Sequence, residues 1–339
     1  MSDLIQFIEQ LGEWAPLGFL GLFALASALT IWRLNAMTEY GFQGTALGTL
    51  VMPFCSGLGN LIFVYIVIDR GGPAQDVFTN VLVNNTTNLT LLIGLPALVW
   101  GLRVMPGGDA PKGGKTPGKA KVQAQEHSLN RLSLLLTILA VFFFTGATWA
   151  LAQDGKLDFG DGLVLVGLFV FWQAIHVFEV LKHNLQQKQS PNPLRLALDL
   201  ALLGAGAWLL YVSIDWLVAW LSKTPTGLLS AKNLGWLSGW LMVLPNGLLA
   251  LYYGWRRRPD IVFSSQVGDG HICIPLCLGL FALVKPMPVP GFFEHAALVI
   301  VGAAAVHFLF VATLGRLPRL MGAVMIAAYG WFLYAGLLA

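Results

Sequence analysis

Two apolar stretches of this chain carry side chains that hydrocarbon tolerates only when they find partners. The first, VNNTTNL, puts Asn84, Asn85, Thr86, Thr87 and Asn88 in a row. Asn84 and Asn88 are four apart and so share one face of a helix. The second, SSQVGDGHICI, centres on Asp269, with His271 two positions further on. A carboxylate inside a membrane segment is expensive and marks a candidate functional site. It can hold a cation or a proton, and a neighbouring imidazole can shift its titration. Two more amides, Asn60 and Asn246, each lie beside residues that disturb a helix: Gly57 and Gly59 after Pro53, and Pro245. Proline withdraws one backbone donor and frees a carbonyl about one turn earlier. Freed carbonyls and amide oxygens make a hard, oxygen-rich set of the kind that binds Na⁺, Ca²⁺ or similar cations. The competing account is structural, with proline as a simple kink and asparagine joining helices by hydrogen bonds.

Other combinations offer less chemistry. His176, Glu179 and His183 sit near one end of an apolar segment, and His307 lies inside another. A metal or haem enzyme built on His176 and His307 is the most distant alternative, since no Cys/His attachment motif accompanies them. Cys55, Cys273 and Cys277 have no metal-ligand spacing and read as buried thiols. No Walker loop, nucleophile elbow or paired zinc ligands occur. The expectation is therefore a protein that is not an enzyme and needs no cofactor beyond a bound cation: Na⁺, Ca²⁺, K⁺ or a coupled proton.

The elements that must position these groups are membrane spans. Hydrophobic residues make up 56% of the 339 and charged residues 11%, against roughly a quarter charged in soluble domains; mean hydropathy is +0.71. Segments long enough to cross a bilayer core, about 20 residues, fall at approximately 16–35, 43–68, 76–103, 129–152, 160–183, 196–221, 232–255, 260–284, 293–314 and 318–338. The acidic start MSDLIQFIEQLGEW lacks the basic region of a secretory signal, so the first span is expected to be retained. With sides alternating, Arg70, Lys156, Lys223, Lys232 and Lys285 fall on one side and the remaining Lys and Arg, of 20 in all, on the other. The positive-inside rule makes the richer side cytoplasmic and places both termini outside, in a bacterial inner membrane. Asp199 and Asp215 fall near opposite ends of the sixth span. The Gly/Pro/Lys-rich stretch at 105–128 reads as a flexible cytoplasmic linker. It interrupts a first repeat, with spans 1–3 in 1–104 and spans 4–5 in 129–190; a second repeat, spans 6–10, occupies 191–339. Five spans per half force the halves to run in opposite senses, the geometry of an inverted repeat. Setting Asn60 on Asn246 brings Gly94 close to Gly279.

These motifs carry a resemblance. CSGLGNL at 55–61 and WLMVLPNGL at 240–248, with the tails VNNTTNLTLLIGL and GDGHICIPLCLGL, resemble the paired motifs of the calcium/cation antiporter superfamily, which includes the sodium/calcium exchangers. GAGAWLLYVSIDWLVAWLS is similar to that family's sixth span. The resemblance implies an all-α fold of two inverted five-helix repeats, with helices broken at the motifs, and an alternating-access antiporter that binds cations at the midplane. It further implies a site of Ser56, Asn60, Asn84, Asn88, Asn246 and Asp269, with Asp269 and His271 as candidates for proton coupling. The family's two motif glutamates fall on Asn60 and Asn246, its tail serines on Asn84 and Asp269, its tail Asn/Asp positions on Asn88 and Cys273, and its second-motif hydroxyls on Met242 and Val243. One carboxylate in place of several suits a monovalent cation or a proton better than Ca²⁺. A transporter-derived subunit or sensor that no longer moves ions is the alternative. Membrane lipids and an inorganic cation are the expected partners, nucleic acid is not, and a membrane-protein partner or homo-oligomer stays open.

Overall fold

In the computed structural model, residues 2–37, 52–104, 117–184, 193–224 and 226–338 are described. A short helix, α1 (Ser2–Glu9), precedes ten membrane-directed segments. The first two are α2 (Ala15–Met37) and α3 (Met52–Asp69). The third is α4 (Ala74–Thr87), a π-helical turn (Asn88–Leu92) and α5 (Ile93–Trp100). Then come α6 (Pro117–Leu151), α7 (Phe159–Asn184), α8 (Pro193–Ser222) and α9 (Leu234–Trp255). The eighth is α10 (Pro259–Ile272), a second π-helical turn (Cys273–Cys277) and α11 (Leu278–Ala282). The ninth is α12 (Phe293–Leu314), and the tenth is α13 (Arg319–Leu333) with a final π-helical turn (Tyr334–Leu338). Among the described residues, eight segments are long and apolar enough to span a bilayer, and α3 and α7 contribute the shorter apolar helices Gly57–Asp69 and Phe159–Ile175. Each of the ten expected segments is thus a helix.

The inverted repeat is visible in the element order. Ala74–Thr87, Asn88–Leu92 and the start of α5 at Ile93 recur at a constant offset as Pro259–Ile272, Cys273–Cys277 and the start of α11 at Leu278. The same offset carries β1 (Leu102–Arg103) onto β3 (Met287–Pro288). β1 pairs antiparallel with β4 (Arg316–Leu317), and β2 (Lys156–Leu157) pairs antiparallel with β3, one clasp on each side of the bundle. Helix contacts obey the same exchange. α4 packs on α9 and α10 on α3; α5 packs on α13 and α11 on α7. The last two contacts are glycine-to-glycine. A Cβ at Gly94 would lie 2.9 Å from the carbonyl of Gly322, and one at Gly162 would lie 2.9 Å from that of Gly279. Small residues let membrane helices approach this closely, where dispersion replaces the hydrophobic drive that lipid does not supply.

The third and eighth spans form the centre. Their apolar windows are 78% and 83% buried, against 17–50% for the other six long spans. One core cluster runs through both halves, from Phe63 and Val81 to Ile272 and Phe332. A smaller one, Ile8, Phe19, Val212 and Leu217, seats α1 and α2 on α8, where Phe19 stacks on Trp216 with ring centroids 4.1 Å apart. Leu17, Leu25, Phe171, Leu198, Leu309 and Leu320 face outward, as side chains in lipid should.

Contacts between the ends sort the charges as expected. Arg33 pairs with Asp199 at 3.0 Å and Arg70 with Asp215 at 2.5 Å, so the two acids of α8 lie toward opposite sides. β1 and β4 bring Arg103 beside Arg316, and Arg131 donates to the carbonyl of Ala312.

Two expectations need correction. Pro245 does not break its span: α9 is continuous from Leu234 to Trp255, and α3 runs unbroken past Gly57 and Gly59. The interruptions lie in the motif tails, as the two π-helical turns. Pro275 sits inside one, and Pro96 lies four residues beyond the last residue of the other. A proline removes a donor and its ring crowds the preceding turn; one extra residue in that turn relieves both. The stretch expected as a linker is helical from Pro117 onward, where α6 begins. Ala, Lys, Gln and Glu dominate 119–126, and these are helix formers that the Gly/Pro content nearby obscured. Residues 105–116 lie outside the described residues.

Candidate amide and carboxylate cluster

Four spans deliver polar side chains to one buried place. Asn60 comes from α3, Asn84 and Asn88 from the third span, Asn246 from α9 and Asp269 from α10, and all five are fully buried. Asn88 Nδ2 donates to Asp269 Oδ2 at 2.8 Å and to Asn84 Oδ1 at 2.9 Å. Asn84 Nδ2 donates to Asn60 Oδ1 at 3.2 Å. Asn246 Nδ2 lies 3.4 Å from both Asn88 Oδ1 and Asp269 Oδ2. The chain of bonds crosses both repeats, and its acceptor end is the carboxylate. The π-helical turn starts at Asn88, so the side chain that touches both repeats sits where the helix is rewound. Such turns re-aim side chains without ending a helix.

Three amide atoms at this cluster have no hydrogen-bond partner: Asn60 Nδ2, Asn246 Oδ1 and Gln266 Oε1. Gln266 was not among the expected site residues. It lies one turn before Asp269 on α10, fully buried, and donates through Nε2 to the carbonyl of Asn246 at 3.2 Å and to Ser265 Oγ at 2.9 Å. Its i,i+3 spacing from Asp269 was the available signal. Buried polar atoms are nearly always paired, and the amide oxygens of Asn246 and Gln266 are among the exceptions. Rotating an amide exchanges its NH₂ for its oxygen. An amide that now donates to Asp269 can thereby present an oxygen instead.

Around this centre the packing is apolar. A Cβ at Gly57 would lie 2.8 Å from Ile272 Cγ2, and one at Gly59 would lie 2.8 Å from Met242 Sδ. The glycines of α3 therefore receive the side chains of Ile272 and Met242 from the second half. His271 lies on another part of α10. Its ring nitrogen Nε2 is 2.8 Å from the carbonyl of Thr137, between the rings of Phe144 and Trp172. His307 Nε2 is 2.7 Å from the carbonyl of Leu89 in the π-helical turn and ties α12 to the third span. The structure thus brings together Asn60, Asn84, Asn88, Asn246 and Asp269, and it places His271 against α6. Ser56 and the His176, Glu179 and His183 group lie outside the described side chains. No group of three or more His, Cys, Asp or Glu residues suited to a metal occurs among the described residues.

The sequence model of the sodium/calcium exchanger protein family matches residues 14–178 and 198–338, nearly the whole chain in two blocks. The chain belongs to the sodium/calcium exchanger protein family. No curated protein matches its sequence. The solved structures most like it include the sodium-calcium exchanger NCX_Mj soaked with 2.5 mM Na⁺ and 10 mM Sr²⁺, with a TM-score of 0.65 and 19% identity over 93% of this chain and 97% of that one. NCX_Mj soaked with 10 mM Na⁺ and zero Ca²⁺ gives 0.64 and 19% identity, covering 99% of this chain and 100% of that one. At that identity the likeness establishes the fold: an all-helical, integral membrane architecture. The two blocks of the family match coincide with the two repeats, and membership identifies the chain as a cation antiporter-type protein, of a family of transporters rather than enzymes. Within this exchanger-family protein, Asp269 is the carboxylate of the cluster, and Asn60 and Asn246 contribute amides to it.

Proposed function

We propose that this exchanger-family protein is a secondary transporter that moves a monovalent cation, or couples a cation to protons, by alternating access around the Asn60–Asn84–Asn88–Asn246–Asp269 cluster. The observation that carries the proposal is the convergence of four spans from both repeats on one buried carboxylate with orphan amide oxygens beside it. One carboxylate neutralises one positive charge. A divalent ion held by the same groups would keep a net charge in a low-dielectric centre, at a penalty of several kcal/mol. A monovalent cation about 4 Å from Asp269 gains about 4 kcal/mol at an effective dielectric of 20, against bonds from amides that it must displace. The family's usual partner, Ca²⁺, is therefore disfavoured here. The distribution of basic residues supports an inner-membrane orientation with both termini outside.

The test is flux of radiolabelled Na⁺, Rb⁺ and Ca²⁺ into liposomes carrying the purified protein, with imposed pH gradients. Uptake of Na⁺ or Rb⁺ without Ca²⁺ supports the proposal. Transport of Ca²⁺ alone refutes the ion assignment. A second reading, a membrane subunit or sensor that no longer transports, draws on a specific observation: two amides already occupy Asp269 Oδ2, and Met242 packs against Gly59. No flux, together with no cation-dependent stabilisation of the purified protein, favours that reading.

A further inference from the structure

The third span carries a polar row that continues past the cluster. Asp76, Asn80, Asn84 and Asn88 follow at intervals of four, so they lie along one face of the helix. The row covers about 18 Å from end to end, in steps of about 6 Å. Val77, Phe78, Val81, Leu82 and Val83 between them are buried and apolar, while Thr79, Asn85, Thr86 and Thr87 carry their polar groups at other positions around the helix. α9 covers the row with small residues. A Cβ at Gly235 would lie 2.8 Å from the backbone oxygen of Asp76, and one at Gly239 would lie 3.0 Å from that of Asn80. This glycine-x-x-x-glycine contact closes the seam between α4 and α9. At its mouth, the half-buried Asp76 carboxylate accepts a hydrogen bond from the backbone N–H of Gly235. One turn deeper, Asn80 Nδ2 donates to Ser238 Oγ at 3.0 Å, and Ser238 in turn donates to the carbonyl of Gly235 at 3.1 Å. With its NH₂ committed, the fully buried Asn80 turns its Oδ1 to a place where no donor meets it.

We propose that Asp76, the amide oxygen of Asn80 and the hydroxyl of Ser238 form a second cation site, a one-sided capture point that delivers a monovalent cation to the central cluster. The inference rests on the transporter reading above and adds sidedness to it. The ligands are a carboxylate, an amide oxygen and a hydroxyl, all hard oxygens. Asp76 supplies a charge at the entrance, Asn80 supplies the first buried oxygen, and opening of the seam passes the ion one step further to Asn84. The repeat exposes the asymmetry. The offset that carries Asn84 onto Asp269 carries Asn80 onto Ser265 and Asp76 onto Ile261, an apolar residue. The neighbouring acid, Asp260, is bound to Arg258 at 3.0 Å and 3.2 Å. The opposite approach therefore has no available counterpart of Asp76 at that position, and capture is strong on the Arg70 side alone.

Sided flux tests this. Right-side-out and inverted membrane vesicles carrying the full chain are assayed with radiolabelled Na⁺ and Rb⁺, and the purified protein is assayed by cation-dependent thermal stabilisation. Asp76→Asn keeps an acceptor for the Gly235 N–H and removes only the charge. It is expected to raise the KM for the transported ion at least fivefold from the Arg70 side, while the KM from the other side and the half-saturating concentration of the thermal shift stay unchanged. A gain variant guards against misfolding: Ile261→Asp is expected to lower the KM from the opposite side. Asp76→Asn with unchanged KM, or with equal changes from both sides, overturns the capture site while leaving transport intact. Wild-type vesicles without uptake, together with wild-type protein that no cation stabilises, would instead sink the transporter reading itself, and the capture site with it.

Discussion

Replacing Asp269 by asparagine isolates the one charge of the cluster. The substitution preserves volume and leaves an acceptor for Asn88 Nδ2, now at 2.8 Å from Oδ2, and for Asn246 Nδ2 at 3.4 Å. A cation about 4 Å from the carboxylate loses about 4 kcal/mol at an effective dielectric of 20 when that charge is removed. The cation also competes with the two amide donors. Each bond to a charged acceptor is stronger by about 1 kcal/mol than the same bond to a neutral one, so weakening both returns about 2 kcal/mol to the ion. The net loss lies between about 2 and 4 kcal/mol, or roughly thirtyfold to a thousandfold in affinity. The assay is thermal unfolding of purified protein across a titration of Na⁺ and K⁺, where stabilisation follows RT ln(1 + [L]/Kd). The cation-free protein should melt at the same temperature or higher, because a buried charge has been removed. Half-saturating concentrations that match the wild type would refute the reasoning, since the carboxylate would then lie outside the ion's coordination.

Asn88→Ala should reduce cation-free stability by about 1–3 kcal/mol, because it strips the shortest donor from a buried carboxylate; chemical denaturation in detergent measures this. Gly94→Ala and Gly279→Ala should each cost about 1–3 kcal/mol, since the new methyl would meet backbone at 2.9 Å and 3.1 Å, respectively. Gly146→Ala, with nothing within 4 Å, should be neutral or stabilising in the same melts. Arg33→Ala should destabilise by about 1–3 kcal/mol because it removes a charged partner of Asp199, which is 1% exposed, and Asp199→Asn in the same chain should restore part of the loss. Arg70→Ala, whose partner Asp215 is 32% exposed, should cost no more than about 1 kcal/mol, and less in high salt.

Much of the architecture was legible because lipid makes strict demands. Hydrocarbon requires long apolar helices, so the ten segments could be marked from hydropathy alone. The alternation of basic residues then tested their number, and the pairings Arg33–Asp199 and Arg70–Asp215 agree with the resulting sides. Asn60, Asn84, Asn88, Asn246 and Asp269 stood out for the same reason, being polar where polarity is costly. Pro245 misled, because one missing donor inside a well-packed helix is absorbed without unwinding, whereas Pro96 and Pro275 each lie at or just past a rewound turn. Gln266 escaped notice among SSQVGDGHICI because an amide draws little attention beside a carboxylate three residues away.

What the sequence by itself determined is which side chains must be hidden from lipid and which ends share a side, since both follow from the transfer cost of each residue taken alone. Which amide meets which partner was decided only by tertiary structure. Asn88 reaches Asp269 across 181 positions, and Asn80 reaches Ser238 across 158, through the close approach of helices at Gly57, Gly235 and Gly239. His271 shows the same limit in reverse: two residues from Asp269 in the chain, it turns its Nε2 to the carbonyl of Thr137, because successive side chains of a helix point different ways and only the neighbouring helices decide what each one finds.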